Sequence, residues 1–428
     1  MTQSVNAVGP LRQIVVVGSS LAGVRACGGL RAAGFEGELT LVGDEPHQPY
    51  DRPPLSKKVL SGEWEPDRIS LFRGDEATTL DLNQRLGSAA VSLQLAERTI
   101  TLEGGATLGF DGLIIATGSG LRRLPGQPDH PSVMELRTLD DSLALRARLA
   151  SGDQRVVVVG AGFIGLEVAA TARQLGNTVT VLEGAPAPLI RGLGVEMGMA
   201  VTALHEDNGV TIHCRVQVRA IRPGDLSSAP VDIDVRWADG ADETLTADVV
   251  VVGIGVIPNT AWLEGSGVQL RDGVVCDQTL NSLSSDGSPI PGVYAAGDIA
   301  RWPNGQFDGE EMRIEHWTNA SEQGMTAARN LLAVANGEQP TPYETVPFFW
   351  SDQFAKRIQF IGRAAGDDDV RIVRGSVEDR SFLALYGKHG RLRGALALAM
   401  PKPLMQCRNL LLDRMTFDDA IAAVTAWP

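Results

Sequence analysis

The chain is poor in cysteine, and its cysteines stand far apart. Cys27, Cys214, Cys276 and Cys407 are the full set in 428 residues, and no two have C-x-x-C spacing. That excludes a redox dithiol motif and the clustered thiolates that hold an iron–sulfur centre or a structural metal, so no metal site is predicted. Reduced, buried thiols in a cytoplasmic protein are expected instead. No apolar run approaches the roughly 18 residues of a membrane span. Residues 1–13 (MTQSVNAVGPLRQ) lack a charged segment followed by an apolar core, so no signal peptide is predicted either. Positive charge is scarce too: 38 Lys and Arg against 52 Asp and Glu leave a net charge of −14. That balance argues against nucleic acid or an anionic membrane as a main partner.

Glycine is plentiful, and one group of glycines organises the chain. Residues 155–183 read RVVVVGAGFIGLEVAATARQLGNTVTVLE. A β-branched run, as in a strand buried on both faces, leads into Gly160, Gly162 and Gly165 as G-x-G-x-x-G. A helical pattern follows to Gly176, then a second β-branched run ends in Glu183. Gly160 permits the tight strand-to-helix turn, Gly162 lets the backbone approach a pyrophosphate, and Gly165 lets helix and strand meet. The helix N-terminus offers free N–H groups to the anion. Glu183, 23 residues after Gly160, is placed to accept hydrogen bonds from an adenosine ribose. A carboxylate there suits a free 2′-OH and repels a 2′-phosphate. Residues 184–190 hold no Lys or Arg to offset it, although Arg191 follows. NADH is therefore expected over NADPH.

The N-terminal region repeats the design. Residues 14–17 read as a buried strand, Gly18-Ser-Ser-Leu-Ala-Gly23 as the turn, and residues 38–42 as the second strand, with a helix to about Gly34 between them. Gly18 and Gly23 keep the first and third glycine positions, and Ser20 takes the middle one. The acid is Asp44, 26 residues after Gly18. Two dinucleotide units in one polypeptide suggest an enzyme holding two nucleotides face to face, commonly a tightly bound flavin and an exchangeable nicotinamide.

Between and after these units lie further short strands. Residues 99–102 and 111–116 lead to Ala116-Thr117-Gly118, and 121–131 resembles a linker. Residues 248–252 lead to the crossover Gly253-Ile-Gly-Val-Ile-Pro-Asn259, which contains Gly255. Residues 292–296 lead to Gly297-Asp298, and a helix is predicted over about 319–335. Composition changes near residue 340. Strands at 357–362, 371–373, 382–386 and 392–398, followed by helices, predict a C-terminal domain on an antiparallel sheet.

Taken in order, the motifs resemble a known family. Gly18…Gly23, Arg52-Pro-Pro-Leu-Ser-Lys57, Ala116-Thr-Gly118, Gly160…Glu167, Gly253…Asn259, Ala296-Gly-Asp298, Glu315-His-Trp-Thr-Asn-Ala-Ser-Glu-Gln323 and Phe349-Trp-Ser-Asp-Gln353 are similar to those of the NADH-dependent, FAD-containing ferredoxin reductases of bacterial oxygenase systems. The resemblance runs from about residue 12 to about residue 415. It implies an α/β fold with two Rossmann-like, glutathione-reductase-like dinucleotide-binding domains and a C-terminal α+β domain. The implied boundaries are 1–120 and 256–338 for the two pieces of an FAD domain, 121–255 for the NADH domain and 339–428 for the C-terminal domain.

For FAD, the resemblance implies contacts from Gly18, Ser20, Ala22, Gly23, Asp44 and Arg52. It adds Lys57, Val91, Ala116, Thr117 and Gly118, and then Arg137, Asp298 and Trp317; for Val91 and Arg137 the match rests on flanking pattern. Asp44 would take the adenosine ribose and Asp298 the ribityl chain. For NADH it implies Gly160, Gly162, Ile164, Gly165, Glu183 and Gly255. Lys57 and Glu167 are implied as the catalytic pair: fixed positive charge beside the flavin would stabilise negative charge that develops there, and the carboxylate would hold the lysine. From the residues alone, Lys57 reads more readily as a solvated charge in a proline-rich loop, and Trp317 and Trp350 equally as core packing or as walls of a flavin site. His316 is assigned no catalytic part.

The implied reaction passes a hydride from NADH to FAD and then single electrons to a small 2Fe–2S ferredoxin that feeds an oxygenase. Without a C-x-x-C, electrons would leave directly from the flavin. Arg301, Arg313, Lys356, Arg357 and Arg363 are candidates for a basic patch that meets an acidic ferredoxin. Two other readings stay open: an NADH-dependent rubredoxin reductase or NADH oxidase, and an NADH-responsive flavin-binding interaction protein.

Overall fold

The structure, a computed structural model, describes residues 11–224 and 230–427; most of the N-terminal stretch considered for a signal peptide lies outside them. The chain forms two compact units. The first is built from the chain up to Asp51, Ile69–Gly120 and Ile257–Pro347. The second is built from Arg52–Arg68, Leu121–Val256 and the chain from Phe348 onward.

In the first unit a six-stranded sheet runs in the order Asn281–Leu283, Pro289–Ala295, Gly112–Ile115, Gln13–Val17, Glu38–Val42, Leu82–Arg85. Only the Asn281–Leu283 edge is antiparallel to its neighbour. Ile14 pairs with Leu39 on one side and Gly112 on the other, and residues 14–17 are at most 2% exposed. Continuous β-branched runs are what a parallel strand covered on both faces requires. The helices Leu21–Ala32 and Trp317–Ala335 pack closely through Gly324, where an added Cβ would stand 2.3 Å from the Ala22 carbonyl oxygen. A small antiparallel sheet, Ala90–Gln94, Thr99–Leu102 and Thr107–Gly109, completes this part.

In the second unit a five-stranded parallel sheet is ordered Thr211–Cys214, Thr178–Glu183, Arg155–Val159, Val249–Val252, Val133–Met134. A three-stranded meander, Gln217–Pro223, Val231–Arg236 and Asp242–Ala247, follows the first of these strands. The C-terminal sheet is fully antiparallel, in the order Phe348–Gln353, Lys356–Gly362, Arg391–Leu398, Ser381–Lys388, Asp369–Ser376. The helices Pro401–Leu412 and Phe417–Thr425 follow it. Most of the strands expected from sequence lie within a residue or two of those observed. The helices Leu139–Leu149 and Ile190–Glu206 and the meander are additional, and no glycine motif announces them.

Among the described residues no helix is long and apolar enough to cross a membrane, and no group of three His, Cys, Asp or Glu could hold a metal ion. The four cysteines are free thiols.

Candidate active site

The two glycine turns are built alike, one in each unit. Gly18 and Gly160 have φ of +123° and +105°, the left-handed region that other residues enter at a cost. A Cβ on Gly18 would stand 2.0 Å from Ala116 O, and one on Gly160 would stand 2.3 Å from Gly253 O. The third glycines are tighter still: a Cβ would lie 1.8 Å from Gly18 O at Gly23 and 2.2 Å from Gly160 O at Gly165. These four glycines let strand, turn and helix touch.

Gly162 is different. It is exposed, and a Cβ there would meet nothing within 4 Å, so its glycine leaves room beside the helix instead of filling it. Helices Leu21–Ala32 and Phe163–Gln174 both begin with no side-chain cap and no acid in the first turn. By contrast, helix Leu139–Leu149 carries a capping box from Thr138 and Asp141. An uncapped first turn presents unsatisfied N–H donors at the positive end of the helix dipole. Bare donors at both glycine turns, with open space at Gly162, fit a pyrophosphate at each.

Glu183 closes one side of the second turn. Its carboxylate accepts from Ala161 N at 2.6 Å and from Ala185 N at 2.7 Å, which holds it against the glycine loop at the end of its strand. Arg191, the first cation after it in sequence, reaches toward Gly255. Ile164, on the helix side of the loop, is 38% exposed. In the first unit Asp44 is exposed at the corresponding strand end, its Oδ1 accepting from Glu45 N at 3.1 Å.

Other residues named by the resemblance fall into local groups. In the first unit Thr117 Oγ1 donates to Asn259 O at 3.0 Å and Asn259 Nδ2 donates to Thr117 O at 2.9 Å, so the turn after Ala116 is locked to Asn259. Gly297, at φ +80°, lies against Ala22, and its N–H donates to Gln323 Oε1 at 2.8 Å. Asp298 is therefore held beside the first turn of helix Leu21–Ala32. The amide nitrogen of buried Gln323 has no partner, the kind of orphaned donor that a bound group would satisfy. Trp317 Nε1 donates to Asp51 at 2.7 Å. Val91 is 51% exposed on strand Ala90–Gln94. In the second unit Arg52 donates to the Arg137 carbonyl oxygen at 2.7 Å, which joins two of the named residues.

Lys57 and Glu167 meet in the second unit. The two prolines start a short 3₁₀ turn, Pro53–Ser56, with Lys57 at its end. That turn is anchored from below: Ser142 Oγ donates to Leu55 O at 2.7 Å, and Thr171 Oγ1 donates to Ser56 O at 2.8 Å. Lys57 Nζ then lies 2.7 Å from Glu167 Oε2, with side-chain exposures of 16% and 7%. Ser56 Oγ donates to the same oxygen at 2.5 Å, and Ser351 Oγ donates to Oε1 at 2.6 Å. A buried carboxylate without partners costs several kcal/mol; here one ammonium and two hydroxyls satisfy it. Lys57 is thus no solvated loop charge.

Ser56 and Ser351 lie inside the Arg52–Lys57 and Phe349–Gln353 runs, yet nothing in the sequence pattern gives them a role. Behind Ser351, Gln353 Nε2 donates to its oxygen at 3.0 Å, and Gln353 Oε1 lies 2.8 Å from His205 Nε2. Burial holds His205 at about 4, below the ordinary histidine value, so the ring is neutral near pH 7. Trp350 stacks on Phe348 at 5.9 Å.

The candidate basic patch is largely neutralised where it stands. In the first unit Arg301 pairs with Asp272 and Glu311, and Arg313 with Asp272 and Glu315. In the second, Arg357 pairs with Asp352 at 2.6 Å. Three of the five candidate cations therefore stand beside acids of the same unit.

The pyridine nucleotide-disulphide oxidoreductase profile matches residues 12–324, and the reductase C-terminal profile matches 348–427. The chain belongs to the pyridine nucleotide-disulphide oxidoreductases. It is 36% identical over 419 residues to rhodocoxin reductase of Rhodococcus erythropolis, covering 96% of this chain and 92% of that one. It is also 36% identical over 411 residues to the ferredoxin–NAD(+) reductase component of the p-cumate 2,3-dioxygenase system of Pseudomonas putida, covering 95% of each. Among solved structures it matches the covalent putidaredoxin reductase–putidaredoxin complex with a TM-score of 0.86 and 31% identity, over 99% of this chain and 100% of that chain. The expected α/β fold, with two dinucleotide-binding domains and a C-terminal domain, is the fold of this family, and FAD and NAD(H) are its cofactors.

Proposed function

We propose that the protein is an FAD-dependent NADH:ferredoxin reductase that feeds an oxygenase through a 2Fe–2S ferredoxin. The observation that carries this reading is the buried Lys57–Glu167 pair in a chain without a C-x-x-C. Disulphide reductases of this fold pass electrons through a dithiol; here the pair supplies fixed charge and no sulfur stands ready. Bound FAD would accept a hydride from NADH and release its electrons one at a time. One relative is named a rhodocoxin reductase and another the ferredoxin–NAD(+) reductase component of a dioxygenase system, which supports this reading; the iron–sulfur cluster would belong to the partner, because this chain lacks thiolate ligands for one.

The chain's own residues supply binding and orientation. The uncapped first turns at Gly18–Gly23 and Gly160–Gly165 would take the two pyrophosphates. Asp44 and Glu183 would accept from the two adenosine riboses, and Asp298 would hold the ribityl chain. Thr117 and Asn259 lock the Ala116–Gly118 turn, which would contact FAD. Arg52, through the Arg137 carbonyl, fixes the entry to the Lys57 turn. Lys57 would hold a positive charge beside the flavin, with Glu167 fixing its direction. With Glu183 favouring a free 2′-OH, NADH is the donor. The cytoplasm, where thiols stay reduced, suits four free cysteines.

Anaerobic titration tests the reading directly. NADH should bleach the flavin of the purified protein at about one equivalent, and an oxidised 2Fe–2S ferredoxin should then restore its colour. A flavin that bleaches but stays bleached with ferredoxin present would contradict the proposed acceptor.

A further inference from the structure

The hydrogen-bond chain behind Glu167 runs in one direction only. Ser351 has a single hydroxyl proton, and it points at Glu167 Oε1 at 2.6 Å. Its oxygen is taken by Gln353 Nε2 at 3.0 Å, so Ser351 cannot turn its proton elsewhere without losing that bond. Gln353 is oriented in turn. Its carbonyl lies 2.8 Å from His205 Nε2, and a carbonyl oxygen only accepts, so His205 must carry the proton on Nε2. Flipping the Gln353 amide would set its carbonyl against the Ser351 oxygen, whose one proton is already given to Glu167, so Ser351 fixes the amide and, through it, the histidine tautomer. His205, Gln353 and Ser351 are each fully buried, so no water competes for these bonds.

The elements involved are rigid: helix Ile190–Glu206, strand Phe348–Gln353 and helix Phe163–Gln174. His205 is also packed edge-on against Phe354 at 5.1 Å. Helix geometry alone leaves a Glu167 side chain several rotamers. The hydroxyl of Ser351 selects one, and that rotamer places Oε2 under Lys57.

We infer that Ser351, Gln353 and His205 are positioning residues for the Lys57–Glu167 pair: a one-way series of donors from helix Ile190–Glu206 through the C-terminal sheet that fixes the Glu167 carboxylate and, through it, the ammonium of Lys57. The inference rests on the reductase reading for its catalytic consequence, but not for its geometry. It also accounts for the Trp-Ser-Asp-Gln run, because strand alternation puts Ser351 and Gln353 on one face, where both reach the same chain of bonds.

Two substitution pairs test it. Ser351→Ala removes the donor, while Ser351→Thr keeps a hydroxyl at a strand position that favours β-branching. His205→Leu removes the far donor, while His205→Gln keeps an amide N–H. The first readout is competitive acetylation of Lys57 in the flavin-free protein, followed by mass spectrometry of the Lys57 peptide. The second is the stopped-flow rate of flavin reduction by NADH in the holoenzyme. In Ser351→Ala, Lys57 labelling should rise about fivefold and flavin reduction should slow about tenfold, with KM for NADH within twofold. His205→Leu should shift both readouts in the same direction by a smaller factor, and Ser351→Thr and His205→Gln should restore both. If Ser351→Ala does not fold, the His205 pair carries the same test. Labelling and flavin reduction that stay within twofold of the parent in Ser351→Ala and His205→Leu would overturn the inference, as would losses that Ser351→Thr and His205→Gln fail to repair. A parent whose flavin NADH does not reduce would instead sink the reductase reading, and the labelling result would still decide the positioning claim.

Discussion

Lys57 Nζ lies 2.7 Å from Glu167 Oε2 although 110 residues separate them in sequence. The contact exists because two short devices converge. A 3₁₀ turn opened by Pro53 and Pro54 is tied down by Ser142 and Thr171, and a helix begun at an open glycine turn carries Glu167 one turn in. Fixed charge in a dry site acts more strongly than the same charge in water.

Lys57→Met should therefore slow flavin reduction by NADH by about 10²-fold, the scale expected when one preorganised electrostatic group is lost, with KM for NADH little changed. Glu167→Gln keeps the shape and should cost about tenfold. Stopped-flow absorbance at the flavin band measures both. A Lys57→Met enzyme within threefold of the parent would refute the assignment.

The glycines of the second turn should separate fold from binding. Gly165→Ala sets a Cβ 2.2 Å from Gly160 O and should lower stability by about 2 kcal/mol or more, because strand and helix must move apart. Gly162→Ala meets open space, so Tm should stay within about 2 °C of the parent's while KM for NADH rises about tenfold. Calorimetry and steady-state kinetics give the two numbers; equal effects from both substitutions would contradict the division.

Glu183 accepts from Ala161 N and Ala185 N, which fixes the carboxylate where a ribose 2′-OH is expected. Glu183→Ser should reduce the ratio of kcat/KM for NADH over NADPH by about tenfold or more, since a 2′-phosphate no longer meets a negative charge. An unchanged ratio would move cofactor choice elsewhere, with Arg191 the next residue to substitute.

The thiols should be dispensable. Burial pushes the Cys27 and Cys407 thiols up to about 12 and raises Cys276 further, while half-buried Cys214 is raised by burial and by Glu183. A raised thiol pKa means little thiolate at neutral pH. Iodoacetamide at pH 8 should leave NADH-driven turnover within about 1.4-fold of the untreated rate, a change of only about 0.2 kcal/mol in the barrier. Rapid inactivation with one alkylated cysteine would reopen a sulfur route.

Acid should loosen the second unit through His205. Its pKa falls from the ordinary value of 6.5 to about 4 on burial, so between those values the unfolded chain holds a proton that the folded chain does not. Stability from this group is complete above about pH 6.5 and is lost as pH falls toward 4. Between pH 7 and pH 5 the loss is roughly 2 kcal/mol. Urea unfolding at both pH values should show the parent losing that much more than His205→Gln; parallel losses in the two proteins would contradict it.

The motifs that organise the turns were legible because glycine and β-branched runs are local signals. Gly160, Gly162, Gly165 and Glu183 could be ranked from spacing alone, and the distinction between crowded Gly165 and open Gly162 is the one that spacing predicts. The Lys57–Glu167 contact was not legible from pattern, since nothing in a proline-rich loop announces a buried partner 110 residues away; it came from resemblance. His205, Gln353 and Ser351 were invisible as a group, because side-chain hydrogen bonds across a strand and two helices leave no periodicity. The surroundings of the candidate arginines were hidden for the converse reason. Sequence shows the cations, but only the fold shows that Asp272, Glu311 and Asp352 stand beside them.

The most direct test of the central claim is NADH-driven reduction of cytochrome c by the holoenzyme, with and without a 2Fe–2S ferredoxin. The account predicts a rate that rises at least tenfold with ferredoxin, saturates as ferredoxin increases, and falls about 10²-fold in Lys57→Met. A rate indifferent to ferredoxin, with oxygen consumed in its place, would contradict it.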